Sequence, residues 1–151
     1  MGRWTALAAV GVLLVGAGCG EGGGVADGAT MTVYVVEPLC AGAERELARA
    51  GAQAGDVRVR VSCLPSAESN GRLDLATIGA NARRATEDSS AIAYIGERTK
   101  AATRFSEPIL QAAGIRQFSD MSGTQAMRSL LGELGEGGDL STMPREAAPA
   151  G

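Results

Sequence analysis

Any chemistry in this chain has to be done without histidine. The 151 residues include none, which removes the usual general base, the commonest metal ligand and the simplest pH switch together. No Gly-x-Ser-x-Gly elbow, no phosphate-binding P-loop and no metal-spaced cluster takes its place. The glycines of GVLLVGAGCG (11–20) have the look of a dinucleotide loop. No helix follows them, and they fall in a leader-like segment. No enzymatic activity, cofactor or metal is therefore expected. What remains is three cysteines, Cys19, Cys40 and Cys63, and loop residues such as Thr99, Lys100, Asp120 and Ser122. Those groups can cross-link, carry a lipid or hold a small polar solute.

The first cysteine closes an export signal. Arg3 supplies a positive n-region, and Ala6 to Gly18 is apolar. That run of about a dozen residues is short of the ~20 that span a bilayer. Gly16-Ala17-Gly18-Cys19 resembles a bacterial lipobox, with Gly16 where a Leu-like residue is usual. The expectation is a signal peptide over 1–18, acylation of Cys19 and a flexible Gly-rich tether over 19–31. That places the protein in the cell envelope, on the outer face of the cytoplasmic membrane, or in the medium if Cys19 is not acylated. Removal of the leader leaves Cys40 and Cys63, and an even pair in an exported chain reads as a disulfide. Closing that loop of about two dozen residues stabilises by roughly 3 kcal/mol in the chain-entropy model. Two buried thiols or a reactive site are the alternatives. The net charge of −3 comes without any basic block, so nucleic acid is not an expected partner.

These residues need a scaffold, and the hydrophobic pattern supplies one. TVYVV (32–36) and AIAYIG (91–96) read as strands buried on both faces. VRVRV (57–61) alternates strictly, which suits an edge strand. Ala43, Leu47, Ala50 and Ala54 recur at helical spacing, with Gly55 as the terminator. PSAESNGR (65–72) reads as a loop, after which Asp74 caps a helix buried through Leu75, Ile78, Ala82 and Ala85. Ala102, Phe105, Ile109 and Ala113 mark another helix, with Pro108 inside it and Gly114 at its end. Gln117 to Ser119 is a short last strand. Ser122 and Gln125 fit a capping box before the helix of Met127, Leu130, Leu131 and Leu134. From Gly135 on, periodicity is lost and the tail over 135–151 reads as disordered. The expected fold is α/β: a three-layer sandwich over 32–134, with a mostly parallel four-stranded sheet in the order 2-1-3-4.

Three segments resemble, in order, the first lobe of type 1 periplasmic binding proteins of the branched-chain amino acid (leucine-binding) class. VYVVEPLCAG is similar to that family's first strand and "PLSG" loop. IGANARRATEDSSAIAYIGERTKAAT is similar to its helix and third strand, ending in a "YIG" turn. FSEPILQAAGIRQFSDMSG is similar to its "P-I-L-x-x-A-G-I-x-x-x-S" block, where Pro108 is a usual residue. The resemblance runs from Val33 to Gly123 and implies a single lobe of a two-lobed solute receptor.

In that family two lobes close on an amino acid, and the first lobe grips its α-amino and α-carboxylate groups from two loops. Carried over, the first loop is Glu97, Arg98, Thr99, Lys100 and Ala101, and the second is Ser119, Asp120, Met121, Ser122 and Gly123. The implied ligand contacts are Thr99, Lys100, Ala101, Met121, Ser122 and Gly123. Lys100 and Ala101 stand where Ser or a small residue is usual. Asp120, Met121 and Gly123 stand where Pro and small residues with a Thr are usual. The chain holds only one helix and a tail where the family has a second lobe. The resemblance therefore implies a lipid-anchored, one-lobed relative of the substrate-binding component of an amino acid ABC transporter. Its implied partners are a small amino acid, an ABC permease or a second-lobe protein, and the membrane through the lipid. The other reading is an exported interaction or structural domain whose ligand site is retired.

Overall fold

A computed structural model describes residues 29–136. The expected signal peptide, Cys19, most of the expected tether and the expected tail from 137 lie outside the described residues.

The chain is α/β. Strand β1 (Thr30–Val36) runs into helix α1 (Cys40–Arg49), followed by the short β2 (Gln53–Ala54) and by β3 (Val57–Leu64). A small hairpin, β4 (Glu68–Ser69) and β5 (Arg72–Leu73), leads to α2 (Leu75–Glu87). Then come β6 (Ala91–Ile95), α3 (Lys100–Ala112), β7 (Arg116–Phe118) and α4 (Gly123–Gly135). The main sheet has the order β2-β3-β1-β6-β7. β3, β1, β6 and β7 pair in parallel, and β2 is antiparallel to β3.

Alternation along the strands divides the core. Val33 and Val35 point to α1 and α4, where Cys40, Ala43, Leu47, Met127 and Leu130 complete one apolar layer. Tyr34 and Val36 point the other way, to Ala82 and Ala85 of α2 and Leu110 of α3. The central strand is therefore apolar at successive positions because both of its faces are covered.

The sheet corrects the expected one. It is mixed and five-stranded rather than four-stranded, and its order begins with a strand that was not foreseen. β2 arises because α1 stops early. Gly51 sits at φ 71° after the last turn, with Ala52 N–H bonded to Leu47 O and Gly51 N–H to Ala48 O. Those paired bonds close the helix end in the Schellman pattern, so Gly55 is not the terminator. Gly55, at φ 57°, instead opens the turn of the β2–β3 hairpin (Ala54 pairs with Val57). The strand VRVRV is thus flanked on both sides. Its Arg58 and Arg60 stay exposed on the α2 side of the sheet.

Arg60 ends in a polar cluster at the amino end of the sheet. Its Nε donates to Thr32 Oγ1 at 2.7 Å. Asp88 accepts there from Tyr34 O–H at 2.9 Å, and from the N–H and hydroxyl of Ser90 at 2.8 and 2.6 Å. The Ser90 hydroxyl and N–H, with Tyr34, hold the Asp88 carboxyl down at about 2.

Smaller corrections concern helix faces and ends. α3 buries Ala102, Ser106 and Leu110, while Phe105 is 41% exposed and Ala113 lies in the exposed turn beyond the helix. Leu75 at the start of α2 is 50% exposed. β1 begins at Thr30, inside the expected tether, and α4 runs through Gly135. The last strand ends at Phe118, one residue before Ser119.

Candidate functional site

Four loops converge where the parallel strands end: 37–39 after β1, 65–74 after β3, 96–99 after β6 and 119–122 after β7. Helix N-termini α1, α2, α3 and α4 open on the same rim, so unpaired backbone N–H groups gather there.

The 96–99 loop is set by two unusual residues. Gly96 has φ 141°, and a Cβ on it would lie 2.8 Å from Val36 Cγ2; only glycine fits. Its N–H bonds to Phe118 O at 2.9 Å and its carbonyl accepts from Gln117 Nε2 at 2.7 Å. Glu97 then turns inward and is 1% exposed. Tyr94 O–H donates to its Oε1 at 2.7 Å. Burial pushes the Glu97 carboxyl up; the Tyr94 hydrogen bond opposes this and the nearby Glu68 charge adds to it. Thr99 caps α3, its Oγ1 accepting from Ala102 N–H at 3.4 Å.

The 65–74 loop is a hairpin. Asn70 and Gly71 take φ 50° and 71°, both in the left-handed region, which the tightest hairpin turns require. Asn81 Nδ2 of α2 donates to Pro65 O at 2.9 Å and anchors the base of the loop. Asp74 N–H bonds to Ala67 O at 2.8 Å. The Asp74 carboxylate caps α2 through Ala76 N–H, Thr77 N–H and the Thr77 hydroxyl.

Between this hairpin and the start of α3 lies a cleft of about 380 Å³, walled by Glu68, Asn70, Gly71, Arg72, Leu73, Arg98, Thr99 and Ala101. Arg72 and Arg98 are exposed. Among the described residues neither makes an ion pair. Arg72 and Arg98, beside the N-terminus of a 13-residue helix, favour a carboxylate in the cleft, against the opposing charge of Glu68 on the same wall.

The six proposed contacts divide. Thr99 and Ala101 line the cleft; Lys100 is exposed beside them, outside its wall. Met121, 38% exposed, and Ser122 sit on the neighbouring 119–122 loop. The Ser122 hydroxyl accepts from Gln125 N–H at 3.2 Å, and Ser122 N–H donates to Gln125 Oε1 at 3.1 Å. This capping box accounts for Ser122 without a ligand. Gly123 is buried against the Leu39 carbonyl, in the packing of α4 on the start of α1. The cleft wall that sequence reasoning missed, residues 68 and 70–73, was signalled by Asn70-Gly71, a strong hairpin dipeptide.

Cys40 and Cys63 are joined by a disulfide with their Cα atoms 5.8 Å apart. It ties the start of α1 to the end of β3 on the same rim. Among the described residues no helix is long and apolar enough to cross a membrane.

Comparison with known proteins gives no identification: no protein-family model, no curated protein and no solved structure matches the chain.

Proposed function

We propose that this protein is a solute-binding lobe, held at the cell envelope by acylated Cys19, that resembles the substrate-binding component of a branched-chain amino acid ABC transporter and uses its rim cleft to take a small amino acid by the carboxylate. The observation that carries this is the cleft itself. It opens at the carboxyl end of parallel strands, where such sheets hold ligands, and it presents Arg72, Arg98 and the Thr99-capped start of α3. A carboxylate bound there meets charge-assisted donors on two sides. The sequence resemblance supports the same loop, and Thr99 and Ala101 are common to both lines of argument.

Arg72, Leu73, Arg98, Thr99 and Ala101 of the cleft wall are exposed to solvent, so the affinity is expected to be weak, about millimolar or some 4 kcal/mol. Binding by this lobe alone is one function; docking to a second-lobe protein or a permease that closes the cleft is the fuller one.

Calorimetric titration with leucine and valine tests the reading. Heat is expected with both, and none with the matching decarboxylated amines. Arg72→Ala combined with Arg98→Ala should abolish the signal. Equal heats from amine and amino acid, or none from either at millimolar concentration, would contradict unaided binding.

One observation favours the alternative, an exported interaction domain with a retired ligand site. Leu73, Leu75 and Phe105 are all substantially exposed near the cleft. A Cβ on Gly79, one turn beyond Leu75 on α2, would lie 3.6 Å from Phe105 Cε1. Capture of a partner that Leu75→Ser and Phe105→Ser abolish, with no response to amino acids, would favour that reading.

A further inference from the structure

The disulfide does not stand alone on the rim. Glu37, the first residue after β1, brings a carboxylate oxygen to it, and the ligand atoms of Glu37, Cys40 and Cys63 all lie within 4.8 Å of one another. A second carboxylate approaches from α1, with Glu44 Oε1 3.6 Å from Cys63 Sγ. Cys63, Glu37 and Glu44 are exposed, while Cys40 is buried beneath them. The two sulfurs and the Glu37 carboxylate thus lie together at the surface, and Glu44 reaches the same place on the Cys63 side.

We propose that reduction of the Cys40–Cys63 disulfide converts this cluster into a tetrahedral Zn²⁺ site with Cys40, Cys63, Glu37 and Glu44 as ligands. The donor set suits the ion. Zn²⁺ takes thiolate sulfur and carboxylate oxygen in four-coordinate sites. Arms of about 2.3 Å at the tetrahedral angle place two sulfurs ~3.8 Å apart, a separation that side-chain rotation provides once the S–S bond is open. Cys40 is the first residue of α1, where the helix dipole favours a negative ligand.

The redox step balances with a dithiol as reductant. The dithiol supplies two electrons and two protons and leaves as its own cyclic disulfide, and Cys40 and Cys63 become thiols. Zn²⁺ then binds as both thiols release their protons to water. Reoxidation by a small-molecule disulfide, which takes two electrons from the thiolates and two protons from water and leaves as two thiols, forms the S–S bond, takes away both sulfur ligands and releases the metal. The site therefore holds either a covalent bond or a metal, never both, and either one pins α1 to β3.

The test uses the full chain without a histidine tag, reduced with dithiothreitol and freed of it under anaerobic conditions. Co²⁺ and Zn²⁺ are the probes. The reduced protein should bind one equivalent of Co²⁺ with thiolate-to-metal charge-transfer absorption, which Zn²⁺ displaces. The oxidised protein should bind none. Glu37→Gln and Glu44→Gln should each weaken binding by about tenfold or more. If reduction unfolds the metal-free chain, Zn²⁺ should restore its native circular dichroism. Binding that survives oxidation, the lack of a charge-transfer band, wild-type affinity in both glutamine variants, or failure of Zn²⁺ to restore a chain unfolded by reduction would each overturn the proposal.

Discussion

Replacing Gly123 with alanine drives a methyl group into backbone. A Cβ at this position would overlap the Leu39 carbonyl oxygen, lie 2.9 Å from the Leu39 carbonyl carbon and 3.1 Å from Ala43 N. Both neighbours belong to the first turn of α1 and its approach, so no flexible side chain can move aside. The N-terminus of α4 has to lift from α1, opening the layer that contains Met127 and Leu130. Overpacking of this kind costs typically 1–3 kcal/mol, and backbone on both sides puts this case in the upper half of that range. Alanine recovers ~0.5–1 kcal/mol through its helix preference. A net loss of about 2 kcal/mol corresponds to a fall in Tm of roughly 8–16 °C for a domain of this size. Gly132→Ala is the matched control, since a Cβ there meets nothing within 4 Å; it should gain ~0.5–1 kcal/mol. Urea and thermal denaturation of the oxidised protein, followed by circular dichroism, measure both. An unchanged or raised Tm for Gly123→Ala would refute the close approach of α4 to α1.

Three further outcomes follow from the polar groups. Asp88 has its folded value lowered from 3.8 to about 2, so its stabilisation is full above the unfolded value and is lost as pH falls through the folded one. Asp88→Asn should lower stability at neutral pH and flatten the acid limb between those values in pH-dependent urea melts. Glu97 behaves oppositely. Its folded value is raised above 4.5, so its contribution is full below that pH and is lost as pH rises through the folded value. Glu97→Gln should equal wild type in acid and be as stable or more stable at neutral pH, with Tyr94 donating to the amide oxygen; a clear loss at neutral pH would contradict a buried carboxyl penalised by its charge. Asp74→Ala should lower the urea midpoint through loss of the α2 cap, and Asp74→Asn should recover most of it.

The scaffold was legible because burial leaves a periodic trace. TVYVV and AIAYI are apolar at consecutive positions because helices cover both faces, and the caps at Asp74 and Ser122 were visible as single residues before helical runs. The edge of the sheet was not legible. Gly51 and Gly55 are both good terminators, and the choice between them turns on Ala52, a non-glycine residue at φ 56° that nothing in its type announces. The face of α3 was misjudged because Phe105 outweighs Ser106 in any hydrophobic pattern, yet Ser106 is the buried one, receiving Gln117 Nε2 at 2.9 Å. At the rim, the family resemblance leads to the loop bearing Thr99 and Ala101, while PSAESNGR reads only as a loop and conceals the hairpin opposite it. Glu97 gave no sign of burial, since a glutamate after a strand reads as solvated.

Amide-resolved NMR during titration of the folded protein with leucine tests the binding claim most directly. Saturable shifts are expected, confined to the cleft at Gly71, Arg72, Arg98, Thr99 and Ala101, with millimolar midpoints. Shifts that cluster elsewhere on the domain, or none up to the solubility of the amino acid, would contradict it.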